Sequence, residues 1–102
     1  MALIMIIVVG CTPASIGIRD QEYSTKLTAL DLYNKNLQDY DINQLKHMKE
    51  LRELNLSSNG ISDISPLKGL TNLTWLFLNS NQISERQKAE LRTALPNCQI
   101  GY

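Results

Sequence analysis

The sequence predicts an α/β repeat fold: a short right-handed solenoid with a parallel concave sheet and a helix capping its C-terminal end. Three observations predict it. Leu51, Leu54, Leu56, Asn59 and Ile61 spell LxxLxLxxNxI, and the same pattern returns 22 residues later as Leu73, Leu76, Leu78, Asn81 and Ile83. An upstream copy, Leu27, Leu30, Leu32 and Leu37, precedes it by 24 residues. The connecting halves also repeat, with Ile42, Leu45 and Met48 matching Ile64, Leu67 and Leu70 at an offset of 22. After Ile83 the period gives way to ERQKAELRTAL, composed of strong helix formers. A fixed period of about 20–50 residues marks stacked supersecondary units.

Composition narrows the function classes. The 102 residues suffice for one domain, and ten basic residues balance ten acidic ones. Nucleic-acid binding needs a clustered basic excess, so none is expected here. His47 is the only histidine and has no spaced partner ligands, so neither a metal nor a cofactor is expected. Cys11 and Cys98 lie at opposite ends and form no CxxC pair.

Taken in chain order, residues 1–10 are almost wholly apolar, and VVGCTP follows. The run is too short to cross a membrane, which takes about 20 residues. Val8, Val9, Gly10 and Cys11 resemble the end of a bacterial lipoprotein signal. That resemblance implies lipidation of Cys11 and a membrane anchor at the cell envelope. The segment departs from the pattern in having no Lys or Arg before the apolar run. Without a signal, the run reads as an apolar strand paired with the first repeat, in a cytoplasmic protein. With the signal, residues 1–10 are the signal segment and residues 11–24 a polar tether, and no amphipathic helix there offers a cap for the first repeat. An uncapped end exposes strand edge and apolar side chains, which Ile16 and Ile18 would have to cover, or else self-association.

Residues 25–102 form the repeat domain: three repeats and a terminal half-repeat. In LxxLxL a short strand alternates, so positions 4 and 6 face inward. One repeat cannot bury its leucines alone, whereas stacked repeats share one core. Asn59 and Asn81 fall where the chain turns, where a side-chain amide satisfies unpaired backbone groups. Repeat one has Lys35 at that position, between Asn34 and Asn36, which predicts an irregular turn. Its two extra residues lie near Tyr40 and Asp41. Pro66 suits the first position of a short helical turn on the convex side. These residues resemble the leucine-rich-repeat family, and ISDISPLKGLTNL (Ile61 to Leu73) resembles its internalin-type repeat of 22 residues. The resemblance implies a leucine-rich-repeat solenoid and protein–protein recognition as its usual role.

The C-terminal end begins with Ser84 and Gln87, a capping box for a helix that Leu91, Ala94 and Leu95 pack onto the last coil. Pro96 and Asn97 end the helix, and Cys98 and Ile100 complete a final LxxCxI at the 22-residue offset. Cys98 occupies a leucine position and reads as a buried thiol rather than a reactive one. The LPNCQI ending resembles the finish of many leucine-rich-repeat chains.

Motif positions 3, 5 and 7 point outward from the sheet. Position 3 holds Ala29, Glu53, Trp75 and Asn97; position 5 holds Asp31, Asn55, Phe77 and Gln99; position 7 holds Tyr33, Ser57, Asn79 and Gly101. The only Trp and the only Phe therefore share one face, ringed by amides and acids, as at interface hot spots. The expected contact surface for a protein or peptide ligand is Trp75, Phe77, Tyr33, Asp31, Glu53, Asn55 and Asn79. Asp31 and Glu53 read as solvated acids rather than a catalytic pair, because acid–base catalysis needs a partner group in a water-excluding pocket. The sequence thus reads as a non-enzymatic binding module. The alternatives are a structural or oligomerisation component, or a truncated recognition fragment of a larger repeat protein.

Overall fold

A computed structural model describes residues 13–102. Four short strands, β3 (Ala29–Asp31), β4 (Glu53–Asn55), β5 (Trp75–Phe77) and β6 (Gln99–Gly101), form one sheet in the order β3-β4-β5-β6. Every neighbouring pair is parallel, with Leu30 beside Leu54, Leu54 beside Leu76 and Leu76 beside Ile100. The strands are only three residues long because the coil must turn at once into its connecting half. Leu30, Leu54 and Leu76 point inward and are buried, and Leu32, Leu56 and Leu78 continue the inward row. Ile42, Leu45 and Met48 from the first connection, and Ile64, Leu67 and Leu70 from the second, close the core from the opposite side.

The connections are 3-10 segments, Asp39–His47 and Ser65–Leu67, with Pro66 in the first turn of the second, as its position predicts. The two extra residues of repeat one fall in the longer segment. Asp41 there is buried and accepts from the Gln38 N–H at 2.8 Å, while Tyr40 remains exposed. The following coil is fastened to this segment by Asp39, whose carboxylate accepts from the N–H groups of Ser62 (2.8 Å) and Asp63 (3.0 Å) and from the Ser62 hydroxyl (2.8 Å). Burial raises the Asp39 pKa, but these three donors outweigh it and hold the carboxyl below its usual value.

The motif asparagines sit at the turns and bond across coils. Asn59 Oδ1 accepts from the N–H groups of Lys35 (3.0 Å) and Leu37 (2.9 Å), and its amide donates to Leu32 O and Leu56 O. Asn81 repeats this one coil on, accepting from Ile61 N–H and donating to Leu56 O and Leu78 O. Asn59 thereby serves the turn of repeat one, which has no asparagine at Lys35. That turn is irregular as expected, with Asn34 and Asn36 both in the left-handed region.

Both ends of the repeat array differ from the sequence expectation. The stretch expected as a polar tether over 11–24 is, over residues 15–24, an antiparallel hairpin of β1 (Ser15–Ile18) and β2 (Gln21–Ser24). Ile16 and Ile18 alternate inward and are buried in the common core, so the first repeat is covered rather than bare. Arg19 at the hairpin turn takes a left-handed φ of 56°, unfavourable for a side chain. Its guanidinium meets Asn36 O and, at 3.1 Å, the Asp41 carboxylate, and these contacts hold the turn. The hairpin is a sheet of its own, so it covers the apolar end of the core without pairing the β3 edge.

At the other end, the last strand departs from the 22-residue spacing. Helix α1 (Glu85–Ala94) starts at Ser84, whose hydroxyl accepts from Gln87 N–H at 3.2 Å, as expected of the cap. The Gln87 side chain, however, accepts from Ile64 N–H at 2.9 Å and ties the helix to the preceding coil. An α-helix advances about 1.5 Å per residue against about 2.0 Å for a 3-10 helix, so it uses more residues per unit length. Accordingly β6 pairs at an offset of 24, with Gln99 beside Trp75 and Gly101 beside Phe77, instead of the 22 read from LxxCxI. The shift is even, so Ile100 still faces inward and Gln99 outward.

Candidate functional site

The outward face of the sheet is a grid set by the register. Its first row runs Ala29, Glu53, Trp75, Gln99, and its second runs Asp31, Asn55, Phe77, Gly101. Neighbours within a row are about 4.8 Å apart along the hydrogen-bonding direction. Tyr33 and Asn79 follow their strands in a third row, on either side of Ser57. The motif places Ser57 outward, yet it is buried, its N–H donating to Asn55 Oδ1 at 2.9 Å.

Trp75 and Phe77 stand on this face because Leu76 between them points fully inward. Their rings stack with centroids 6.2 Å apart and planes inclined by 15°. Trp75 is 48% exposed and Phe77 40%, although burying such rings elsewhere in the fold would be favourable. Gly101 helps keep the Phe77 edge open, since a Cβ there would stand 3.3 Å from Phe77 Cδ1. The C-terminal residue does not cover the pair. Tyr102 instead packs on α1, its hydroxyl donating to Lys88 O at 3.1 Å and its ring lying 5.1 Å from Lys88 Nζ.

The remaining expected residues divide. Glu53 lies beside Trp75 and Asn55 beside Phe77, so the register brings four of the seven together. Asp31 is next to Asn55 and its Oδ1 accepts from Tyr33 N–H at 3.1 Å. Tyr33 is 53% exposed but lies two strands from the aromatic pair, at the edge of the patch. Asn79 is partly committed to the scaffold, its amide donating to Tyr102 O at 2.7 Å. Cys11 lies outside the described residues. Gln99, beside Trp75, is a neighbour that the 22-residue period misplaces; the length of the helix was the signal for it.

Chemically the face offers carboxylates, amides and two aromatic planes over a shallow depression of about 360 Å³. Asp31 and Glu53 are diagonal rather than opposite and both are exposed, so they do not form an enclosed acid–base pair. Cys98 is half-buried and forms no disulfide among the described residues, and burial pushes its thiol pKa up, which disfavours the nucleophilic thiolate.

Residues 25–83 match the family model for leucine-rich repeats. A leucine-rich repeat-containing protein of Bos taurus is 41% identical over 51 residues, half of this chain and 15% of that protein. Among solved structures, a leucine-rich-repeat protein of Leptospira interrogans superposes with a TM-score of 0.53 at 33% identity, covering 59% of this chain and 16% of its own. An internalin of Listeria monocytogenes gives 0.62 at 24% identity, covering 80% of this chain and 24% of its own. The chain therefore spans a quarter or less of the length of each of these proteins.

Proposed function

The chain belongs to the leucine-rich-repeat family, and from that premise we propose that it is a non-enzymatic module that binds a protein or peptide on the outward face of its parallel sheet. One observation carries the proposal: the only Trp and the only Phe stack on that face and remain nearly half exposed. Rigid aromatic rings framed by amides and acids are the side chains from which interface hot spots are built. The patch is small, which fits a short segment better than a wide globular surface.

The test is a selection from a phage-displayed library of random decapeptides on immobilised protein. The wild-type chain enriches binding sequences, whereas Trp75→Ala with Phe77→Ala retains the circular-dichroism spectrum and loses at least about tenfold in affinity for them, as expected when central aromatic anchors are removed. Equal binding by the double variant contradicts the proposal.

The Val8–Cys11 motif supports a further part of the reading, that the module is held at a bacterial cell envelope by lipid on Cys11. Intact mass of protein from native cells, with membrane and soluble fractions kept apart, tests it. A membrane species starting at Cys11 with added acyl mass is the expected result. A soluble species retaining Met1 to Gly10 contradicts it.

A further inference from the structure

The sheet face is chemically one-sided. The chain as a whole is neutral, with ten basic and ten acidic residues. Its outward rows nevertheless hold Asp31 and Glu53 and no Lys or Arg. Ion pairs among the described residues lie elsewhere: Arg19 with Asp41 at the hairpin, and Lys68, Arg86 and Lys88 with acids of α1. Asp31 and Glu53 take part in none of them, so the face carries uncompensated negative charge in front of two aromatic planes.

The depression lies between these groups. Ala29, Asp31, Glu53, Asn55 and Phe77 line it, and the β3 and β4 backbone forms its floor. Ala29 and Asn55 are short enough to leave the space open between the two carboxylates. With strands about 4.8 Å apart and about 3.3 Å of rise per residue, the two diagonal positions lie about 8 Å apart, close enough for one planar group to bridge both. Asp31 Oδ1 is occupied by Tyr33 N–H, which leaves Oδ2 to accept from a ligand.

We propose that this depression receives an arginine side chain from the bound protein segment, its guanidinium bridging Asp31 and Glu53 with its plane against Phe77. The inference rests on the reading that the sheet face is the binding surface, and it specifies what that surface selects. A guanidinium presents donors in a fixed fork suited to carboxylates and lies flat on an aromatic ring. A lysine ammonium is a compact, strongly hydrated charge and fits this arrangement less well.

The test uses the same decapeptide selection and reads the composition of the selected sequences. Arginine enrichment over the unselected library is expected. In a selected peptide, Arg→Lys weakens binding to the wild-type chain about tenfold, and so does Asp31→Asn with Glu53→Gln in the protein. Both protein substitutions are nearly isosteric and exposed, and the amide oxygen that Asp31→Asn introduces still accepts from Tyr33 N–H. Raising the salt concentration weakens the wild-type interaction without any variant, as expected of exposed charges. Selected sequences that lack arginine enrichment, or that bind equally after Arg→Lys, overturn the arginine proposal. If such sequences still depend on Trp75 and Phe77, the binding face itself stands. If nothing is enriched, or enriched sequences ignore both pairs of substitutions, the binding face and the arginine subsite fall together.

Discussion

Asn59 carries more backbone partners than any other side chain among the described residues, and its position explains why. It closes its own turn through Leu56 O and also serves the preceding turn through Lys35 N–H, Leu37 N–H and Leu32 O. Asn81 accepts from a single N–H, that of Ile61. Asn59→Ala should therefore destabilise the fold more than Asn81→Ala, by about 1 kcal/mol for the additional hydrogen bond, measured by urea denaturation. Equal losses would mean that water substitutes freely at the first turn. The three consecutive residues Trp75, Leu76 and Phe77 provide a sharper contrast. Leu76→Ala should cost about 2–5 kcal/mol as a fully buried leucine, while Trp75→Ala with Phe77→Ala should leave stability nearly unchanged. A large loss in the double variant would assign the rings to the core.

At the scale of elements, the hairpin and the Asp39 contact decide how the first coil is closed. Ile16→Ser with Ile18→Ser exposes the end of the core and should lower the melting temperature clearly; an unchanged value would mean the hairpin contributes no cover. Asp39 predicts a pH dependence. Its folded pKa lies below the ordinary value of 3.8. Its contribution is therefore present above that value and lost as pH falls through the lower folded one. Asp39→Asn should reduce stability at neutral pH, and the gap to the wild type should close in acid, read from melting temperatures across a pH series. A gap independent of pH would show that the carboxylate charge is not what fastens Ser62 and Asp63. These elements were unequally legible. The repeated strands, the Pro66 turn and the capping helix announce themselves through a 22-residue period and helix formers. The hairpin does not, because its turn is Arg19–Asp20, without the Gly or Asn that usually marks a tight turn, and its second strand is mostly polar. The terminal register departs from the repeat because an LxxCxI match ignores how many residues a full helix consumes.

For the whole molecule, the repeat determines which faces exist, and single residues determine what one face selects. Period alone places Trp75, Phe77, Glu53 and Asn55 together, because in-register parallel strands bring equivalent positions side by side. It does not reveal that Asn79 is bound to the terminal carbonyl or that Ser57 is buried, since those depend on contacts outside the repeat. The proposed binding surface is the outward sheet face and not the 3-10 side. It is tested most directly by amide and indole chemical-shift mapping of the labelled protein titrated with a selected decapeptide. The single indole signal, from Trp75, reports on the centre of the face. Binding there should shift that signal and those of residues 29–33, 53–57, 75–79 and 99–101, with 39–47 and 65–67 unaffected. Shifts concentrated on the 3-10 segments or the hairpin, with the Trp75 indole unmoved, would contradict it.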